Sequence, residues 1–80
     1  MKKSEARIIM YLHTVKPENK FIRKMCSKLN MDYAYTLEIL NLMLEKRWIY
    51  KIKNHNKSML ELNGIAPVKQ AIEKLKGDDK

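Results

Sequence analysis

Glycine, proline and cysteine are all scarce in this chain: two, two and one among 80 residues. With Gly64 and Gly77 as its only glycines, it cannot build a glycine-rich loop to cradle a phosphate. Its lone Cys26 cannot close an internal disulfide, which points to the reducing cytoplasm. No apolar run approaches the ~20 residues of a membrane span. Met1-Lys2-Lys3 imitates the basic start of a secretion signal, but Glu5 and Arg7 interrupt it, and the run Ile8–Leu12 is too short for one. His13 and His55 stand far apart, with no Cys or carboxylate cluster at ligand spacing, so no metal site is expected. Cys26 falls on the inward side of an expected helix, where a small buried apolar role suits it better than nucleophilic work. Neither catalysis, a cofactor nor a small-molecule ligand is expected.

What the chain has in quantity is positive charge. Seventeen Lys and Arg against nine Asp and Glu give a formal +8, which favours an anionic partner, nucleic acid first and acidic membrane second. With 45% apolar and 32% charged residues the composition is that of a globular chain. The length supports one domain, expected over residues 1–76, with a flexible tail at 77–80.

Periodicity divides the domain. Ser4 to about Thr14 reads as a helix capped by Ser4, with Ile8, Ile9, Leu12 and Val15 as its apolar stripe. Lys16-Pro17 breaks the pattern, and Lys20-Phe21 is long enough for a very short strand. A second helix from about Ile22 to Leu29 turns Ile22, Met25, Cys26 and Leu29 inward and leaves Arg23, Lys24, Ser27 and Lys28 outside. Asn30 suits the left-handed turn that ends it, and Asp32 suits the cap of a third helix running to about Arg47. On that helix Leu37, Leu40 and Leu44 gather on one side, flanked by Thr36, Met43 and Arg47. Tyr35, Glu38, Ile39, Leu42 and Lys46 fall opposite. Residues 48–53 alternate as a strand, Trp48, Tyr50 and Ile52 against Ile49, Lys51 and Lys53. The polar turn Asn54-His55-Asn56-Lys57 leads to a partner strand with Leu60 and Leu62 on one face. Pro67 then opens a last helix to about Lys76, with Ile65, Val68, Ile72 and Leu75 at helical spacing.

Residues Ile22 to Asp32 resemble the packing motif of the winged helix-turn-helix family, MarR-like and related small regulators. Met25 stands at the leucine position, Cys26 at the small residue, and Asn30 at the glycine of the turn. Leu44-Glu45-Lys46-Arg47-Trp48-Ile49-Tyr50 is similar to the family's approach to its wing, whose glycine falls on Arg47 or Trp48. Glu61-Leu62-Asn63-Gly64 resembles the segment after the wing. The resemblance covers about residues 4–76 and implies a mainly α fold with a small β-hairpin: a three-helix core, a two- to three-stranded wing and a C-terminal helix. It further implies a small cytoplasmic transcriptional regulator that binds double-stranded DNA, as a homodimer. The second helix would meet phosphates through Lys20, Arg23, Lys24 and Lys28. Tyr33, Tyr35 and Thr36 would meet the DNA at the start of the third helix, and Lys51, Lys53, His55, Asn56 and Lys57 would line the wing.

Charge is unevenly spread along this plan. Residues 1–30 carry 8 basic and 2 acidic groups, whereas residues 31–47 carry Lys46 and Arg47 against Asp32, Glu38 and Glu45. The third helix is thus the only negative segment, a poor composition for reading bases directly. An alternative therefore stands beside DNA binding: a protein-interaction module whose interface is an apolar patch of Ile39 and Leu42, with Tyr35 beside them.

Overall fold

The computed structural model describes residues 1–54 and 57–77. The first helix, α1, spans Lys3–Thr14 and is followed by a single 3-10 turn, Pro17–Asn19. Two more helices, α2 (Ile22–Leu29) and α3 (Tyr33–Glu45), precede a hairpin of β1 (Ile49–Asn54) and β2 (Lys57–Leu62), and α4 (Ala66–Gly77) closes the chain. The molecule is therefore mainly helical with a two-stranded antiparallel hairpin. Among the described residues no helix is long and apolar enough to cross a membrane, and no cluster of His, Cys, Asp or Glu is placed to hold a metal.

The core lies where α1 meets every other helix and β2. Ile8, Ile9, Met25, Leu40, Met43 and Leu60 are fully enclosed or nearly so. The most extensive helix pairing is α1 with α4, and Ala6 and Ala71 are both wholly buried, small enough to let two helices lie close. Cys26 is buried in this core as a free thiol.

Local chemistry sets the helix ends. Ser4 does not cap α1; the helix begins one residue earlier, and the Glu5 carboxylate accepts from the Lys2 N–H at 2.6 Å. That carboxylate is itself buried, and the ammonium of Lys46 stands 3.9 Å away. Asn30 ends α2 in the left-handed conformation, φ 55° and ψ 48°. Asp32 then caps α3 by accepting from the Tyr35 N–H at 3.0 Å.

Two faces differ from the periodic pattern. On α3 the buried side chains are Thr36, Ile39, Leu40 and Met43, while Leu37 and Leu44 are only partly covered. The inward face is thus rotated toward α1, which packs along that side, and Ile39 is core rather than exposed patch. On α4 the inward set is Pro67, Val68 and Ala71, with Ile65 and Ile72 exposed, because the close approach to α1 selects small side chains. The helix also runs through Gly77, where a tail was expected to begin; residues 78–80 lie outside the described residues. On the hairpin the alternation holds, and the buried member of β1 is Ile49, opposite Leu62.

The short strand at Lys20-Phe21 is a single bridge, Phe21 to Met59, with the Leu60 N–H donating to the Lys20 carbonyl at 3.0 Å. Consequently β2 lies between this bridge and β1. Past α3 the chain reverses through Arg47 at φ 60°, the Trp48 N–H donating to the Met43 carbonyl at 3.2 Å. Of the two positions on which a glycine could fall, Arg47 is the left-handed one. Arg47→Gly is expected to raise stability by roughly 0.5–1 kcal/mol, because relief of left-handed strain outweighs the entropy gained by the unfolded chain. Arg47→Val should lower it by about 1 kcal/mol or more, both read from urea denaturation.

Candidate functional site

The outer face of α2 exposes Arg23, Lys24, Ser27 and Lys28. Because Asn30 folds α3 back against α2, the first turn of α3 lies beside the first turn of α2. There the Arg23 guanidinium sits 4.7 Å from the centroid of the Tyr33 ring, an arrangement that orients both side chains at the surface. Nothing caps α2 through a side chain, and its first residues line an open cleft of about 710 Å³. Phe21 and Ile22 contribute apolar groups to its lining, Arg23 and Lys24 cations, Glu18 a carboxylate, and Asn19, Tyr33 and Ser58 the rest.

The hairpin reaches this cleft through Ser58. Its register partner across the strands is Lys53, so the two side chains share a face, and Lys51 lies two residues along the same face. Both lysines are exposed. Lys53 is thus the cross-strand neighbour of a residue that lines the same cleft as Arg23, Lys24 and Tyr33. His55 and Asn56 lie outside the described residues, and Lys57 is placed by its backbone pairing with Asn54.

Three sequence-derived positions leave the site. Thr36 is fully buried, its hydroxyl donating to the Asp32 carbonyl at 2.6 Å, because a threonine one turn into a helix can satisfy itself on the preceding turn. Lys20 is not a free cation: its ammonium bonds the Glu61 carboxylate, and only 17% of its side chain is exposed. Tyr35, 52% exposed, points away from the cleft and lines a shallow groove of about 100 Å³ with Lys2, Glu5, Glu38, Ile39 and Leu42. Tyr33 and Tyr35 thus serve different faces of α3. Phe21, Asn19 and Ser58 were not singled out from sequence. Phe21, the one phenylalanine, beside a basic run, was the available signal.

The Asn19 part of the cleft is held from the core. Tyr11 of α1 donates its hydroxyl to the Asn19 carbonyl at 2.8 Å, fixing the Pro17–Asn19 turn. Chemically the cleft offers the cations of Arg23 and Lys24, the carboxylate of Glu18, and aromatic and apolar groups from Phe21, Tyr33 and Ile22, so its cationic side can take phosphates with stacking groups attached. Comparison with protein-family models, with curated proteins and with solved structures finds no match to this chain.

Burial raises the pKa of Tyr11 above its ordinary 10.0. The unfolded chain then releases this proton first, so stability falls as pH rises above about 10. Tyr11→Phe should remove that share of the alkaline loss, measured by denaturation across pH 8–11. At neutral pH the same change should cost about 0.5–1.5 kcal/mol through the lost hydrogen bond.

Proposed function

We propose that this chain is a winged helix-turn-helix protein that binds duplex DNA chiefly through the phosphate backbone, as a small regulator. The order of elements supports this reading: helix, single-residue bridge, helix, left-handed turn, helix, hairpin, helix. So does the positive φ at Arg47, where that family carries glycine. The observation that carries it is the cleft that Arg23, Lys24 and Tyr33 line together with Ser58, the cross-strand partner of Lys53. Lys28, one turn beyond Lys24 on the same face, extends the cationic track along α2.

In this reading α2 and β1 neutralise phosphates on either side of the first turn of α3, and Tyr33 donates to or stacks near the sugar-phosphate chain. The outer face of α3 presents Ala34, Tyr35, Glu38, Asn41, Leu42 and Glu45, with no arginine or lysine. Affinity accordingly resides in charge and shape, with little from direct contact to base edges.

Fluorescence anisotropy on a generic duplex should give micromolar binding at low salt with a steep negative salt slope. Arg23→Ala/Lys24→Ala and Lys51→Ala/Lys53→Ala should each flatten that slope by about 2 units. Lys69→Ala/Lys76→Ala on α4 should leave it unchanged. Equal losses from all three pairs would show general charge attraction and remove the cleft from the reading.

A second reading has its own observation. Tyr35 and Leu42, seven residues apart on α3, are 52% and 44% exposed and line the groove beside the start of α1. This is the surface a homodimer or a docking partner would use. Leu42→Asp should then convert a dimer to a folded monomer in light scattering. A chain that is monomeric before and after the change excludes the homodimer.

A further inference from the structure

The free edge of the hairpin carries a recognition pattern that DNA binding does not require. β2 is paired on both sides, to β1 and to the Phe21 bridge, so among the described residues the open edge belongs to β1. The direction of its hydrogen-bonding groups follows from the neighbouring bonds. The Leu60 N–H donates to Lys20, away from β1, and the Asn63 N–H donates to the Trp48 carbonyl. Leu60–Lys51 is therefore a non-hydrogen-bonded pair, and so is Ser58–Lys53, two residues along. The amides and carbonyls of Lys51 and Lys53 thus face outward from the sheet, and among the described residues no backbone group pairs with them. Tyr50 and Ile52 stand on the opposite face of the same strand, 46% and 40% exposed.

We propose that the open edge of β1, from Tyr50 to Lys53, docks an extended partner segment in which apolar and acidic residues alternate. The outward backbone groups of Lys51 and Lys53 supply main-chain hydrogen bonds to an added strand. Alternation then sorts the partner's side chains by face: apolar ones beside Tyr50 and Ile52, carboxylates beside Lys51 and Lys53.

Charge selects this occupant over a second copy of the chain. In antiparallel self-pairing centred on Lys51, that lysine faces its own counterpart. Centring on Ile52 sets Lys51 against Lys53 twice. Like charges directly opposite oppose pairing, which is how edge lysines protect a strand from its own kind. An acidic alternating segment reverses the sign of the same contacts. The proposal stands apart from DNA binding, and its test contains no nucleic acid.

The probe is the synthetic peptide acetyl-(Val-Glu)₄-amide, titrated into the isotopically labelled full chain and followed by amide chemical shifts. Saturable shifts should be largest at the amides of Lys51 and Lys53, with slowed exchange at both. A peptide N-methylated at alternate amides should bind about tenfold more weakly or not at all, because it cannot extend the ladder. The variant Lys51→Glu/Lys53→Glu should lose (Val-Glu)₄ and gain acetyl-(Val-Lys)₄-amide, a positive readout that also shows the variant folds. Three results would overturn the proposal: shifts confined to Arg23, Lys24 and Tyr33, equal binding of the N-methylated peptide, or no binding by either peptide. A dimer of the free protein that Tyr50→Lys dissolves would assign the edge to a second copy and overturn it as well.

Discussion

The left-handed turn at Asn30 is the constraint on which the surface of this protein depends. A helix that ends leaves its last carbonyls without partners, and here they are satisfied from three directions. The Met31 N–H reaches back to the Cys26 carbonyl at 2.9 Å, the Asn30 N–H to Ser27 at 3.3 Å, and the Arg7 side chain of α1 donates to the Leu29 carbonyl at 2.8 Å. The first bond exists only if residue 30 has positive φ, a conformation asparagine adopts at lower cost than most residues. With the reversal made, Asp32 is positioned to cap α3 and Tyr33 falls beside Arg23. One dihedral pair therefore determines whether the cations of α2 and the aromatic start of α3 meet.

α1 supplies the counterpart to that turn. It touches α2, α3, α4 and β2, and polar groups on it hold what the apolar core alone would leave free to slide. Arg7 holds the end of α2, Tyr11 holds the turn before α2, and Glu5 lies near Lys46 just past α3. Burying a carboxylate is costly unless its lone pairs are used. Glu5 has the Lys2 N–H on one oxygen and Lys46 near the other. Lys46 also lies 4.6 Å from the centre of the Trp48 ring, so the end of α3, the start of the hairpin and the start of α1 are tied together. A small core with many short polar ties suits a chain this size, which has little apolar volume to spare.

Much of this architecture was legible because its signals are local. The Asn30–Asp32 joint, the inward set of α2 and the alternation of the hairpin each depend on a few adjacent residues, and each appears as read. The faces of α3 and α4 were not legible. A helix that is apolar on nearly all sides, as α3 is, does not encode which side another helix will cover. The position of α1 decides that, and it buries Ile39 and Thr36 while exposing Leu42. Likewise α4 presents Ala71 rather than Ile72 because the spacing to α1, a tertiary quantity, rewards the smaller side chain. Lys20 shows the same limit for charge: its partner Glu61 is 41 residues away, joined to it only through the bridge to β2. Arg47 is a milder case, since two adjacent positions fitted the pattern and only backbone geometry separates them.

The distribution of charge gives the proposed functions a common physical basis. The net +8 is not a uniform coat, for Lys20 and Lys46 are engaged with Glu61 and Glu5, and the outer face of α3 carries Glu38 and Glu45. Among the described residues, exposed cations cluster as Arg23, Lys24 and Lys28 on one element and Lys51 and Lys53 on another. A duplex needs both groups, since phosphate affinity grows with the number of contacts made together. An extended acidic strand needs only the second, adding hydrogen bonds that a duplex cannot use. Both ligands would neutralise Lys51 and Lys53, so each must weaken the other by the same factor. If both proposals hold, the two ligands compete, because the cations and the open backbone edge of the hairpin share the same two residues.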